Sequence, residues 1–136
     1  MRIGRHWIGD ISGCDANILR DEAALNLLFE TALIRAGAQI LERQSHVFEG
    51  EGGVTGMFLL AESHASYHSY PEHRYLAADF FTCGSCDPAV AADIVISALR
   101  PEAVSTHILE RSALESGDPI PALDRSVAQR RQEAIR

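Results

Sequence analysis

The sequence predicts an α+β fold, a two-layer sandwich in which an antiparallel sheet carries its helices on one face. Three observations predict it. Short stretches that alternate between polar and apolar residues outnumber helical ones. The two helical segments are separated by several strands rather than alternating with them. The links between those strands are short, which suits antiparallel neighbours and leaves no room for parallel crossovers.

Residues 5–12 read as the first strand, with Trp7, Gly9 and Ile11 on one face and His6, Ile8 and Asp10 on the other. Asp21 is placed to cap a helix over 22–36, where Ala24, Leu25, Leu28, Ala32, Leu33 and Ala36 recur at helical spacing, and Gly37 is placed to end it. Residues 38–48 follow as a strand with a polar face, and Gly50-Glu51-Gly52-Gly53 marks a turn. An apolar strand is predicted over 54–61 and a shorter one over 65–70. Pro71-Glu72-His73-Arg74 breaks the pattern before another strand over 75–82. Asp87-Pro88 supplies an N-cap and a proline at the first helical position for a helix over 88–99. A last strand spans 104–109. The domain is set at 4–110, and the polar tail 111–136, Arg-rich at its end, is expected to be mobile.

A chain of 136 residues with 46% hydrophobic residues suits one domain with an ordinary core. Its formal net charge of −7 argues against sequence-independent nucleic-acid binding, because nothing would neutralise a run of phosphates. The same charge argues against docking on an anionic membrane, and it tolerates a cationic small molecule. No apolar run is long enough to span a bilayer, and the first residues lack the apolar stretch of a signal peptide. A cytoplasmic protein is expected, with Cys14, Cys83 and Cys86 as free thiols.

The chemistry concentrates between Thr55 and Cys83. That segment holds an acid-Ser-His triplet, a second His, a Pro-Glu and a Cys. Taken singly, each has an ordinary reading: a serine at a strand end is a turn residue, a histidine in a strand is a hydrogen-bonded one, and a cysteine is a small hydrophobe. Taken together they form a pattern. The run Glu62-Ser63-His64-Ala65-Ser66-Tyr67-His68-Ser69-Tyr70-Pro71-Glu72, then Ala78-Asp79-Phe80-Phe81-Thr82-Cys83-Gly84, resembles the short prokaryotic, pyruvoyl-dependent S-adenosylmethionine decarboxylase proenzymes. Gly4-Arg5-His6 leading to Cys14-Asp15 looks like that family's start, and Val54-Thr55-Gly56 like its Val-Ser-Gly.

The resemblance implies a chain that cuts itself between Glu62 and Ser63, giving a β chain of 1–62 and an α chain of 63–136. Ser63 would become a pyruvoyl group, the electron sink that replaces pyridoxal phosphate, and would hold the substrate amine as a Schiff base. His68 is the implied processing base, which suits an imidazole. Cys83 is the implied proton donor to the carbanion. Glu72 matches an acid that holds ribose hydroxyls, and Phe48 and Tyr70 are candidates to stack on adenine or face the sulfonium. The family's small enzymes pair as homodimers of αβ units, with sites built from both protomers. Decarboxylated S-adenosylmethionine would supply spermidine synthesis.

This chain departs from the pattern in places. Thr55 stands where the family has a serine that assists processing, and Tyr70 where it has tryptophan. The loop 49–53 is one residue longer and more acidic, and Cys86 completes a Cys-x-x-Cys with Cys83. Two alternatives stay open at this level: the same pyruvoyl chemistry on L-ornithine or L-arginine, or a non-processing homologue that acts as a binding or regulatory partner. No metal site is expected from these residues, as two cysteines make a poor zinc site without two more ligands.

Overall fold

The fold is seen in a computed structural model, which describes residues 1–115. Among them six strands form one antiparallel sheet: β1 (Arg2–Ser12), β2 (Ile40–Val47), β3 (Val54–Leu60), β4 (Ser63–Tyr70), β5 (Tyr75–Cys83) and β6 (Ala103–Ser112). Their order is β2-β3-β4-β5-β1-β6. The helices are α1 (Ala16–Leu19), α2 (Glu22–Arg35) and α3 (Pro88–Leu99), and a 3-10 turn spans Pro71–His73. The antiparallel two-layer sandwich read from the sequence is the fold observed.

Local signals set the helix ends. Asp21 accepts from the Ala24 N–H at 3.0 Å, and Asp87 from the Ala89 N–H at 2.9 Å, so each cap satisfies an amide that has no partner within its helix. α2 ends in a Schellman motif: Ala38 N–H donates to Leu33 O and Gly37 N–H to Ile34 O, with Gly37 at φ +93°. α1 has a side-chain cap from Asp15 but only four residues.

Period-two alternation sets the two faces of the sheet. Trp7, Ile11, Phe58, Tyr67 and Phe80 are buried on the face that α2 and α3 cover, where they meet Leu25, Phe29, Leu33 and Val95. Phe29 lies 4.6 Å from the Tyr67 ring and 5.5 Å from that of Phe80, centroid to centroid. Gly56 is needed here, because a Cβ at that position would come within 2.2 Å of the Tyr67 ring. Phe29→Ala is expected to cost about 3–5 kcal/mol, since the site is closed on all sides and collapses little. Urea unfolding of the purified chain measures it.

Among the described residues the other face carries no helix. Ile8, Met57, Leu59, Phe81 and Leu109 alternate there with His6, Thr55, His64, His68 and Asp79. Four strands are longer than the sequence predicts. β1 begins at Arg2 and β5 runs on to Cys83. β4 begins at Ser63, and β6 runs to Ser112 because β1 pairs with it along its whole length, past the boundary set at 110. The tail beyond residue 115 lies outside the described residues.

Candidate active site

The residues picked out by sequence fall into two groups at opposite ends of β4. The first surrounds the Glu62–Ser63 peptide bond, in the tight turn from β3 to β4. The Glu62 carbonyl accepts a hydrogen bond from the Cys83 N–H at 3.0 Å. The Glu62 carboxylate accepts from the Gln39 N–H at 3.0 and 3.2 Å, and Ala61 N–H donates to Gln39 O at 2.9 Å. Ser63 has φ +145°, a left-handed-side value that L residues rarely adopt and that costs about 1–3 kcal/mol. Cys83 is part-exposed and lines a small polar pocket with Arg2, Gly4, Arg5 and Thr82. Cys86 lines the same pocket but is buried, and burial pushes its thiol above the ordinary value.

The second group sits at the far end of β4. Thr55 and His68 are register partners on β3 and β4, and Thr55 Oγ1 lies 2.9 Å from His68 Nδ1. Threonine therefore places its hydroxyl on the imidazole. A cleft of about 650 Å³ opens beside them, lined by Phe48, Glu49, Thr55, His68, Tyr70 and Glu72. The Phe48 N–H bonds to Gly53 O at 2.8 Å, which closes the glycine-rich loop and presents the ring at its edge. Tyr70 stacks on Tyr75 at 5.6 Å, so one side of its ring is already occupied.

Within one chain the two groups do not meet. Ser63 and His68 are five positions apart on one strand, roughly 16 Å at the ordinary strand rise. Their register positions also fall on opposite faces, Ser63 opposite buried Thr82 and His68 opposite Thr55 on the open face.

A third cluster was not legible in the sequence. Asp79 Oδ2 receives His6 Nε2 at 2.6 Å and His64 Nε2 at 2.9 Å, while Ser66 Oγ donates to Oδ1. Burial would raise the Asp79 carboxyl, but the bonds from Ser66, His6 and His64 outweigh it and hold the group below the usual carboxylate range. The three ligand-type atoms of His6, His64 and Asp79 lie within 4.8 Å of one another, as a metal site would require. The tautomer opposes that use. Arg111 Nη1 lies 3.3 Å from His6 Nδ1, and a guanidinium can only donate, so Nδ1 accepts and Nε2 carries the proton where a metal would bind. Arg111 also adds a cation beside the cluster and lies over Phe81 at 5.2 Å.

The fold and the family match place this chain in a class of decarboxylases. The structure matches the crystal structure of the adenosylmethionine decarboxylase from Aquifex aeolicus with a TM-score of 0.77 and 31% identity, over 88% of this chain and 98% of that one. The family model described as S-adenosylmethionine decarboxylase matches residues 5–112. The chain belongs to the S-adenosylmethionine decarboxylase family, whose members are carboxy-lyases. Among its relatives, the S-adenosylmethionine decarboxylase proenzyme of Pyrobaculum aerophilum is 42% identical over 111 residues, covering 81% of this chain and 89% of the relative. That of Bacillus velezensis is 40% identical over 100 residues, covering 74% and 79%. No helix among the described residues is long and apolar enough to cross a membrane.

Proposed function

We propose that the chain cuts itself between Glu62 and Ser63, turns Ser63 into a pyruvoyl group, and decarboxylates S-adenosylmethionine. The observation that carries the proposal is the Glu62–Ser63 bond itself. Its carbonyl is held by the Cys83 N–H, and its serine has a strained φ in a chain of this family. A backbone N–H on that oxygen stabilises the negative charge that develops when the carbonyl is attacked. The Ser63 hydroxyl attacks the Glu62 carbonyl carbon, the C–N bond breaks, and an ester links Glu62 to the Ser63 side chain. Removal of the Ser63 α-proton then expels the Glu62 carboxylate. Hydrolysis of the resulting dehydroalanine releases ammonia and leaves the pyruvoyl group.

His68 is the base for the α-proton, and Thr55 orients its ring through the 2.9 Å contact. The separation along β4 favours a base supplied by a second copy of the chain. Two copies pair as a homodimer in which His68 of one chain serves Ser63 of the other. Exposed Met57, Leu59 and Leu109, with half-buried Ile8 and Phe81, leave apolar surface that a second copy could cover.

The pyruvoyl carbonyl supplies the electron sink for the carbanion left by CO₂. Cys83 Sγ delivers the proton that replaces CO₂. Glu72 takes the ribose hydroxyls at the mouth of the cleft, and Phe48 and Tyr70 face the adenine or sulfonium. The product would serve spermidine synthesis in the cytoplasm.

Mixed dimers test the shared site. Co-expression of Ser63→Ala and His68→Ala chains is expected to yield cleavage of the His68→Ala chain alone, because its Ser63 faces an intact His68. If neither chain is cut while the wild type is, His68 does not act across the pair.

A further inference from the structure

The cluster of His6, His64, Ser66 and Asp79 lies outside both groups, and its arrangement is specific. His6 on β1 and His64 on β4 are both register partners of Phe81 on β5, from opposite sides. Asp79 is two residues back along β5, on the same face. One carboxylate therefore reaches both rings and also the Ser66 hydroxyl, which is its own partner across the ladder. Its three side-chain hydrogen bonds all run to β1 and β4. As a metal site the cluster is disfavoured by the His6 tautomer that Arg111 imposes.

His64 is the residue that follows Ser63. On the other side of the Glu62–Ser63 bond, the carbonyl and the carboxylate of Glu62 are fixed by the Cys83 and Gln39 N–H groups. Ser63 is thus strung between two anchored residues. Its φ of +145° persists only while both anchors hold, because a strained backbone relaxes unless its surroundings over-determine it. Release at residue 64 would let Ser63 fall back to an ordinary extended conformation and change how its hydroxyl is presented to the Glu62 carbonyl carbon.

We propose that Asp79 is a positioning residue for self-cleavage: by holding the His64 ring it fixes the chain on the C-terminal side of the bond to be cut. His6 and Arg111 support it by keeping an N–H on the carboxylate. The inference rests on the self-cleavage reading, and it assigns Asp79 to the first step, ester formation, rather than to the proton removal that follows.

The test separates those steps. An ester between Glu62 and Ser63 is cut by hydroxylamine, whereas the amide is not. The full-length precursors of Asp79→Asn, His64→Phe, His64→Gln and His68→Ala are followed by intact mass with and without hydroxylamine, beside the wild type, and their melting is recorded. Asparagine has one acceptor oxygen where three donors now meet a carboxylate, and phenylalanine keeps a ring without its N–H. Both variants are expected to cut about 10- to 100-fold more slowly, the scale that a misplacement near 1 Å produces, and to build up no hydroxylamine-sensitive ester. His68→Ala is expected to build it up. His64→Gln keeps a donor for Asp79 and is expected to stay near the wild-type rate. His64→Phe leaves Asp79 bonded to His6 and Ser66, so it reports on positioning even if Asp79→Asn folds poorly. Wild-type cleavage rates in Asp79→Asn or His64→Phe, or ester accumulation in either, overturn the inference alone. A wild-type chain that stays uncut removes the self-cleavage reading and this inference with it.

Discussion

Ser63→Ala is expected to leave a single uncut chain with no decarboxylase activity at all. The loss is complete because decarboxylation depends on the cut: the pyruvoyl group arises only after attack by Oγ. Without Oγ there is no nucleophile for the Glu62 carbonyl, so no ester forms, no elimination follows and no pyruvoyl group arises. The substitution should leave the fold intact. Ser63 is a terminal residue of β4, its side chain makes no hydrogen bond found among the described residues, and alanine removes only the hydroxyl. Intact mass and thermal melting of the purified variant check both halves of this statement. Cysteine at the same position is a useful companion, since a thiol can still attack and would restore cutting at an altered rate.

Cys83→Ala should behave in the opposite way: it is expected to cut itself and yet decarboxylate poorly. The contact that supports cutting is made by the backbone N–H of Cys83, which any residue but proline provides. The thiol is assigned to turnover only. Loss of a positioned proton donor typically removes about 10²- to 10⁴-fold from kcat, and KM should change little because Glu72, Phe48 and Tyr70, proposed to hold the ribose and adenine, line a different pocket. The measurement is CO₂ release from carboxyl-labelled S-adenosylmethionine by the processed variant. If Cys83→Ala fails to process, the thiol and not only the amide acts in cutting.

How far the sequence foretold this structure depends on how local each signal is. The ends of α2 and α3 were legible because Asp21, Gly37 and Asp87-Pro88 act within a turn of their own position. The strand faces were legible from alternation, as with Trp7, Gly9 and Ile11 against His6, Ile8 and Asp10. α1 was missed because four residues are too few to show a period. The start of β4 was missed because Ser63 and His64 are both polar and neither marks an inward face; pairing with Thr82 and Phe81 makes them strand. β6 is longer than its pattern because β1 supplies the partner.

The candidate site divides along the same line. Ser63, Cys83, Thr55, His68 and Glu72 were picked out by their resemblance to the family's motifs, and their roles are proposals. That Ser63 and Cys83 stand apart from Thr55 and His68 follows from strand geometry, since five residues of extended chain cannot bring two side chains together. The Asp79 cluster could not be seen before the strand order was known. His6, His64 and Asp79 are distant in sequence and become neighbours only because β5 lies between β4 and β1.

The central claim is that this chain makes its own prosthetic group at Ser63, and the intact mass of the purified wild-type protein tests it most directly. The account predicts two chains, residues 1–62 and 63–136, with the second blocked at its N-terminus and reactive toward a hydrazine. One chain of 136 residues, unchanged after prolonged incubation near neutral pH, would contradict it.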